Sequence, residues 1–168
     1  MQQNGGIMGK VIMIASYISK RYKQQFGKRI DEMKLHKLLY FVQRECIVQT
    51  GEPMFVESFQ AWRYGPVMQE IRHRYQDDTL NEELPVSVEE EYKSVFDTLF
   101  DVYAPKKSWS LSSLSHGEYS WRKAREGYGP MDVCHVCIAT DDIRKDAERI
   151  RIRRFLLAKM QNAEVKRS

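Results

Sequence analysis

The stretch from Ile30 to Pro53 constrains the fold most. Asp31 stands where an N-cap accepts a backbone hydrogen bond, and Ile30 and Leu35 hold the two positions whose contact fixes the entry of a helix. Leu35, Leu38, Leu39, Val42 and Cys46 then recur at helical spacing, and Tyr40, Phe41 and Ile47 widen the apolar arc until Gly51 and Pro53 end it. A surface helix carries a single apolar stripe. An arc this wide needs cover on several sides, so the pattern predicts a helix at the centre of an α-helical body.

The neighbouring segments supply that cover. Ile7, Val11, Ile14, Ile18 and Tyr22 form the stripe of a first helix ending before Gly27. Phe55 to Tyr64 loses the helical period and reads as a short hairpin or extended arm. Gly65-Pro66 then reads as a turn, with Pro66 opening a helix that carries Val67, Met68, Ile71 and Tyr75. After an acidic loop over 76–87, Val88 to Tyr103 resumes a helical pattern that Pro105 ends. Ser108 to Ser115 and Tyr119 to Arg125 read as short helices, and Val133 to Ala139 is apolar but too short to classify. Thr140 or Asp141 caps a last helix with Ile143, Ala147 and Ile150 on one face. The expected fold is mainly α: a compact single-domain helical bundle with a small β-hairpin near residues 55–64. Residues 1–9 are a flexible leader, 10–152 the domain, and 153–168 a basic C-terminal tail. A winged-helix-like DNA-binding module is the competing architecture.

Composition agrees with one globular domain: 168 residues, 42% hydrophobic and 30% charged, with only 9 Gly and 5 Pro. No apolar run is long enough to span a membrane, and the leader lacks the charge of a secretory signal. Three cysteines do not make a disulfide framework, so a reducing, cytoplasmic setting is expected. The net charge of +4 conceals a division. Residues 1–76 sum to +6, 77–101 to −8, 102–143 to zero and 144–168 to +6. Such patches either steer a charged partner or neutralise each other across the fold.

Few residues promise chemistry. Cys134-x-x-Cys137 supplies two zinc ligands, but no second pair accompanies it, and both cysteines read first as small hydrophobes. Ser115-His116-Gly117-Glu118 holds the types of a catalytic relay, yet sequence neighbours rarely form one, and Ser115 and His116 read as a cap for the following helix. There is no Gly-rich phosphate loop. No catalytic residue, cofactor or enzymatic activity is therefore expected. Arg144, Lys145, Arg149, Arg151, Arg153, Arg154 and Lys159 suit a phosphate-binding arm, but Asp146 and Glu148 weaken the field, and nucleic acid is not the favoured partner. Trp62, Arg63, Tyr64 and Arg72 are the residue types of interface hot spots and also of cores.

Three blocks in order carry a resemblance: Leu35-His36-Lys37-Leu38-Leu39-Tyr40-Phe41, Phe59-Gln60-Ala61-Trp62-Arg63-Tyr64-Gly65-Pro66-Val67, and Leu111 through His116 to Trp121. Over residues 10–152 the chain resembles the Panacea antitoxin domain, the SocA-like and GepA-like phage-associated family. His36 stands where that family usually has Gln, and Gln69 where Pro commonly follows the Gly-Pro-Val block. The resemblance implies an antitoxin of a two-gene, often prophage-borne locus that neutralises a cognate protein toxin by direct binding. The alternative it implies is an adaptor that delivers the toxin to the ClpXP protease. The signature residues Leu35, Lys37, Leu38, Leu39, Tyr40, Trp62, Gly65, Pro66, Val67, Ser115, His116 and Trp121 read as scaffold. The toxin-binding candidates are Arg63, Tyr64, Arg72 and the acids Asp77, Asp78, Glu82, Glu83, Glu89 and Glu90. Oligomeric state is left open.

Overall fold

The computed structural model describes residues 9–168 and builds them around α2, Glu32–Thr50. Its ends form as local chemistry dictates. The Asp31 carboxylate accepts the Lys34 backbone N–H at 2.8 Å, Ile30 and Leu35 are buried, and Gly51 closes the helix at φ +81°. All residues from Lys34 to Ile47 are buried, which is what the wide apolar arc requires. Around α2 pack α1 (Lys10–Phe26), the two-stranded hairpin, α6 (Ser108–His116) and α8 (Thr140–Arg167). The expected stripe of α1 is buried through Val11, Ile14, Ile18 and Tyr22; Ile7 and the rest of the leader to residue 8 lie outside the described residues. The fold is thus mainly α with one small antiparallel sheet.

The hairpin is displaced from its expected position. β1 is Gln60–Trp62 and β2 is Gly65–Val67, paired Gln60↔Val67, Ala61↔Pro66 and Trp62↔Gly65, so Arg63-Tyr64 makes the turn. Gly65-Pro66 is therefore strand, and α3 starts three residues later, at Gln69–Gln76. Tertiary partners explain the change. Lys37 Nζ donates to the Pro66 carbonyl at 3.1 Å, and the Met68 N–H donates to His36 Nδ1 at 3.4 Å. Proline has no N–H to contribute, and none is needed, because Ala61 turns its own N–H away to the Val136 carbonyl. The unclassified stretch 133–139 proves to be extended, and Ile138 N–H bonds the Phe59 carbonyl at 2.7 Å on the outer edge of β1.

The helix expected over 88–103 is broken. α4 is Val86–Glu91, α5 is Lys93–Thr98, and a π-helical turn follows over Leu99–Tyr103, closed by Ala104 N–H to the Leu99 carbonyl. The wider turn lets Leu99, Phe100, Tyr103 and Ala104 all face the core, with the Tyr103 ring stacked 4.7 Å from that of Phe41. α7 is Tyr119–Ala124. α8 has Ala139 at its N-cap with no side-chain cap, so neither Thr140 nor Asp141 plays that part. Its 28 residues run through the boundary expected at residue 152, and the basic tail is the second half of this helix. Among the described residues no helix is long and apolar enough to cross a membrane.

A candidate partner-binding groove

An open groove of about 500 Å³ lies between the first turns of α2, the hairpin, α3 and the extended segment 133–135. Strand alternation builds its wall. Ala61 points into the core, so Trp62 points out and is half-buried there. The indole stacks on the His135 ring, 5.4 Å away and nearly parallel, and has the Arg72 guanidinium over it at 5.4 Å. Tyr64 is exposed at the turn, with Arg63 over its ring and Trp109 against its edge. Trp62 is thus not the core residue that a scaffold role implies. Trp121 is: it is 9% exposed, stacks on His116 at 4.3 Å and donates to the Trp62 carbonyl at 2.8 Å.

Ionisable side chains lie under the groove. His36 and Lys37 are buried, Glu32 pairs with Arg72 at 3.2 Å, and His36 Nε2 faces Glu32 at 3.8 Å. Burial pushes the His36 pKa down, against a partial pull upward from Glu32. Burial also pushes the Lys37 amine down to about 7, the charges of Asp31 and Glu32 offsetting only part. Between that value and 10.5 the unfolded chain holds a proton that the native state lacks, so this group makes stability rise with pH. From about pH 8 to 9.5 the natural protein should gain on the order of 1 kcal/mol per unit relative to Lys37→Met. Parallel urea-unfolding curves for the two proteins across that range would show that Lys37 keeps an ordinary amine.

Beneath α2 the structure assembles a polar cluster that the sequence did not announce. Tyr40, Arg44, Glu118, Ser120 and Asp146 are all buried. The Tyr40 hydroxyl is 2.7 Å from Ser120 Oγ, Arg44 Nη1 donates to Glu118 Oε1 at 2.8 Å, and Asp146 accepts the Tyr119 and Ser120 N–H groups at 2.8 and 2.9 Å. Asp146, from α8, therefore caps α7, in place of the expected Ser115 and His116. Burial and Asp146 raise the Glu118 pKa although Arg44 and Arg149 lower it. The sequence signal is the charged pair Arg44-Glu45 between Val42 and Cys46, positions of the apolar arc of α2.

The other candidates disperse. Ser115 Oγ donates to the Ser112 carbonyl while Glu118 is held by Arg44, so the Ser-His-Glu run forms no relay. Cys134 is buried and Cys137 exposed, on opposite sides of an extended segment. Among the described residues no three metal-binding side chains converge. The acidic segment lies against basic α1 and α3. Glu83 pairs with Lys20, Asp78 with Arg29 and Glu82 with Arg74, and Glu89 accepts from the Tyr17 hydroxyl. Of the two possibilities for the charge division, mutual neutralisation is the one that Glu83, Asp78 and Glu82 adopt. Asp77 and Glu90 are exposed, with no ion pair among the described residues.

A family model described as the antitoxin SocA-like Panacea domain matches residues 35–122, just over half of the chain. The chain belongs to this family. Comparison with curated proteins and with solved structures finds no match. The matched span of this Panacea domain holds His36 and Lys37 of the groove floor, the hairpin and the His116–Trp121 stack, while Glu32 and the 133–135 wall lie outside it. α1 and α8 lie outside it, so the Asp146 cap joins the Panacea core to a helix beyond the matched region.

Proposed function

We propose that this Panacea domain is an antitoxin that neutralises a cognate protein toxin by direct stoichiometric binding, with no chemistry performed on the toxin. The observation that carries the reading is the groove. It gathers Trp62, Tyr64, Arg63 and Arg72, large rings and forked cations that gain contact area at low entropic cost, beside the buried His36 and Lys37. Membership of an antitoxin-like family supplies the partner class. The paired acids leave less free charge for an acidic grip, and exposed surface pairs of that kind contribute little energy.

Co-expression with the toxin should rescue growth and yield a complex in which the intact mass of the toxin is unchanged. Arg63→Glu with Arg72→Glu should weaken that complex by about a hundredfold or more, since like-charge reversal at an anchor costs several kcal/mol. The melting temperature should stay within a few degrees. Reversal of Asp77 and Glu90 should change only the association rate and its salt dependence. Full rescue by the folded arginine variant would remove the groove from the interface. Loss of the toxin in cells that hold ClpXP, but not in cells lacking it, would replace occlusion with delivery to the protease.

A further inference from the structure

From residue 151 onward every residue of α8 is exposed, its apolar side chains included. Ile143, Ala147 and Arg154 share one helix face, at spacings of four and seven residues. That face meets the body: Ile143 and Ala147 are buried, and Arg154 makes a two-pronged pair with the fully buried Glu45 carboxylate at 2.7 and 2.9 Å. At about 100° per residue, Ile152, Leu156, Met160 and Ala163 form a seam roughly 80° wide on the opposite face. Ile152, Leu156 and Met160 are each more than half exposed, as is Phe155 beside them. Arg153 borders one side of the seam and Lys159 the other.

We propose that the C-terminal half of α8 is a docking helix that lays this seam into an apolar groove rimmed by carboxylates on a partner protein. Spacings of four, four and three residues are the anchor pattern of a helix held in a groove. The occupant follows from the charge. From Arg151 to Ser168 the helix carries six basic groups and one acid, so a second copy would meet like charge along its whole length. A membrane surface favours a broad unbroken apolar arc, whereas Lys159 falls between Phe155 and Ile152. Nucleic acid would use the arginines and leave Ile152, Leu156 and Met160 without a role. The surface lies outside the Panacea match and apart from the Trp62 groove, and it stands independently of the antitoxin reading.

The test uses the intact chain and calcium-loaded calmodulin as a probe, because that protein presents an apolar groove flanked by acids. Calorimetry should show one-to-one binding that is lost on calcium removal. Leu156→Glu with Met160→Glu should weaken it at least tenfold with an unchanged melting temperature, since neither residue is packed in the body. Arg153→Glu with Lys159→Glu should also weaken it and reduce its salt dependence. No binding by the intact chain, or equal binding by the Leu156/Met160 variant, overturns the proposal. So does tighter binding to phosphatidylglycerol vesicles or to a DNA duplex, or a dimer in sedimentation that Leu156→Glu dissolves. No toxin enters the measurement, so failure here is separate from failure of the growth-rescue test.

Discussion

Arg44→Met should lower the free energy of unfolding by about 3–5 kcal/mol, because it strips one partner from a buried ion pair and leaves the other in place. Arg44 is 3% exposed, bonds Glu118 and the Tyr103 hydroxyl, and lies over the Phe41 ring at 4.8 Å. Methionine keeps much of the packing volume, so the loss reports on charge. Without Arg44, Glu118 would face Asp146 with the half-exposed Arg149 at 3.0 Å as its one remaining cation and the neutral Tyr40 hydroxyl at 3.3 Å as its other donor. The Glu118 pKa, already raised in the native state, then rises further. Between the unfolded value of 4.5 and that raised value, the native variant keeps a proton that its unfolded chain has lost. Its stability therefore falls as pH rises through the window, and the deficit against the natural protein should shrink as pH drops from neutrality toward the lower limit. Urea unfolding at about pH 7 and pH 5 reads both effects. A deficit that stays constant with pH would mean that Glu118 is not the group left uncompensated.

Gly65→Ala should cost about 2–5 kcal/mol, combining backbone strain with overpacking. Gly65 sits at φ +112°, and a Cβ there would stand 2.5 Å from both Lys37 Cε and Ser115 Oγ. Neither neighbour yields cheaply, since Lys37 is buried with its Nζ on the Pro66 carbonyl and Ser115 is tied to Ser112. Gly65 pairs with Trp62 across the hairpin, so any shift of β2 moves the groove wall. A large drop in melting temperature together with weakened toxin binding is expected. Removing one of the two clashes, in Gly65→Ala with Ser115→Ala, should restore part of the stability. An unchanged melting temperature for the single variant would show that the hairpin does not rest on Lys37 as described.

The family blocks were legible because they are local runs of residues, and the match over 35–122 covers all three. They did not disclose the groove. Trp62 and Arg72 come together only when β1, α3 and α2 pack, and Lys37 reads as an ordinary charged helix position until its burial beneath Gly65 is seen. The cluster around Glu118 was illegible for the same reason: Arg44 and Glu118 are 74 residues apart, Tyr40 and Asp146 are 106 apart, and nothing in either neighbourhood signals the other.

The sequence by itself determined what depends on neighbours along the chain. The Asp31 cap, the burial of Ile30 and Leu35, the Gly27 and Gly51 stops and the apolar arc of α2 are choices made within a turn or two of helix, where side chain and backbone compete at short range. Only the tertiary structure decided where Gly65-Pro66 belongs, because the Lys37, His36 and Val136 contacts outweigh a local preference for turn and helix start. It also decided that four acids of the 77–91 segment are held by α1, Arg29 and Arg74, and that α8 turns its last apolar seam outward. Those outcomes are set by which charges and faces the packed body leaves unmatched, a quantity that exists only once distant segments have met.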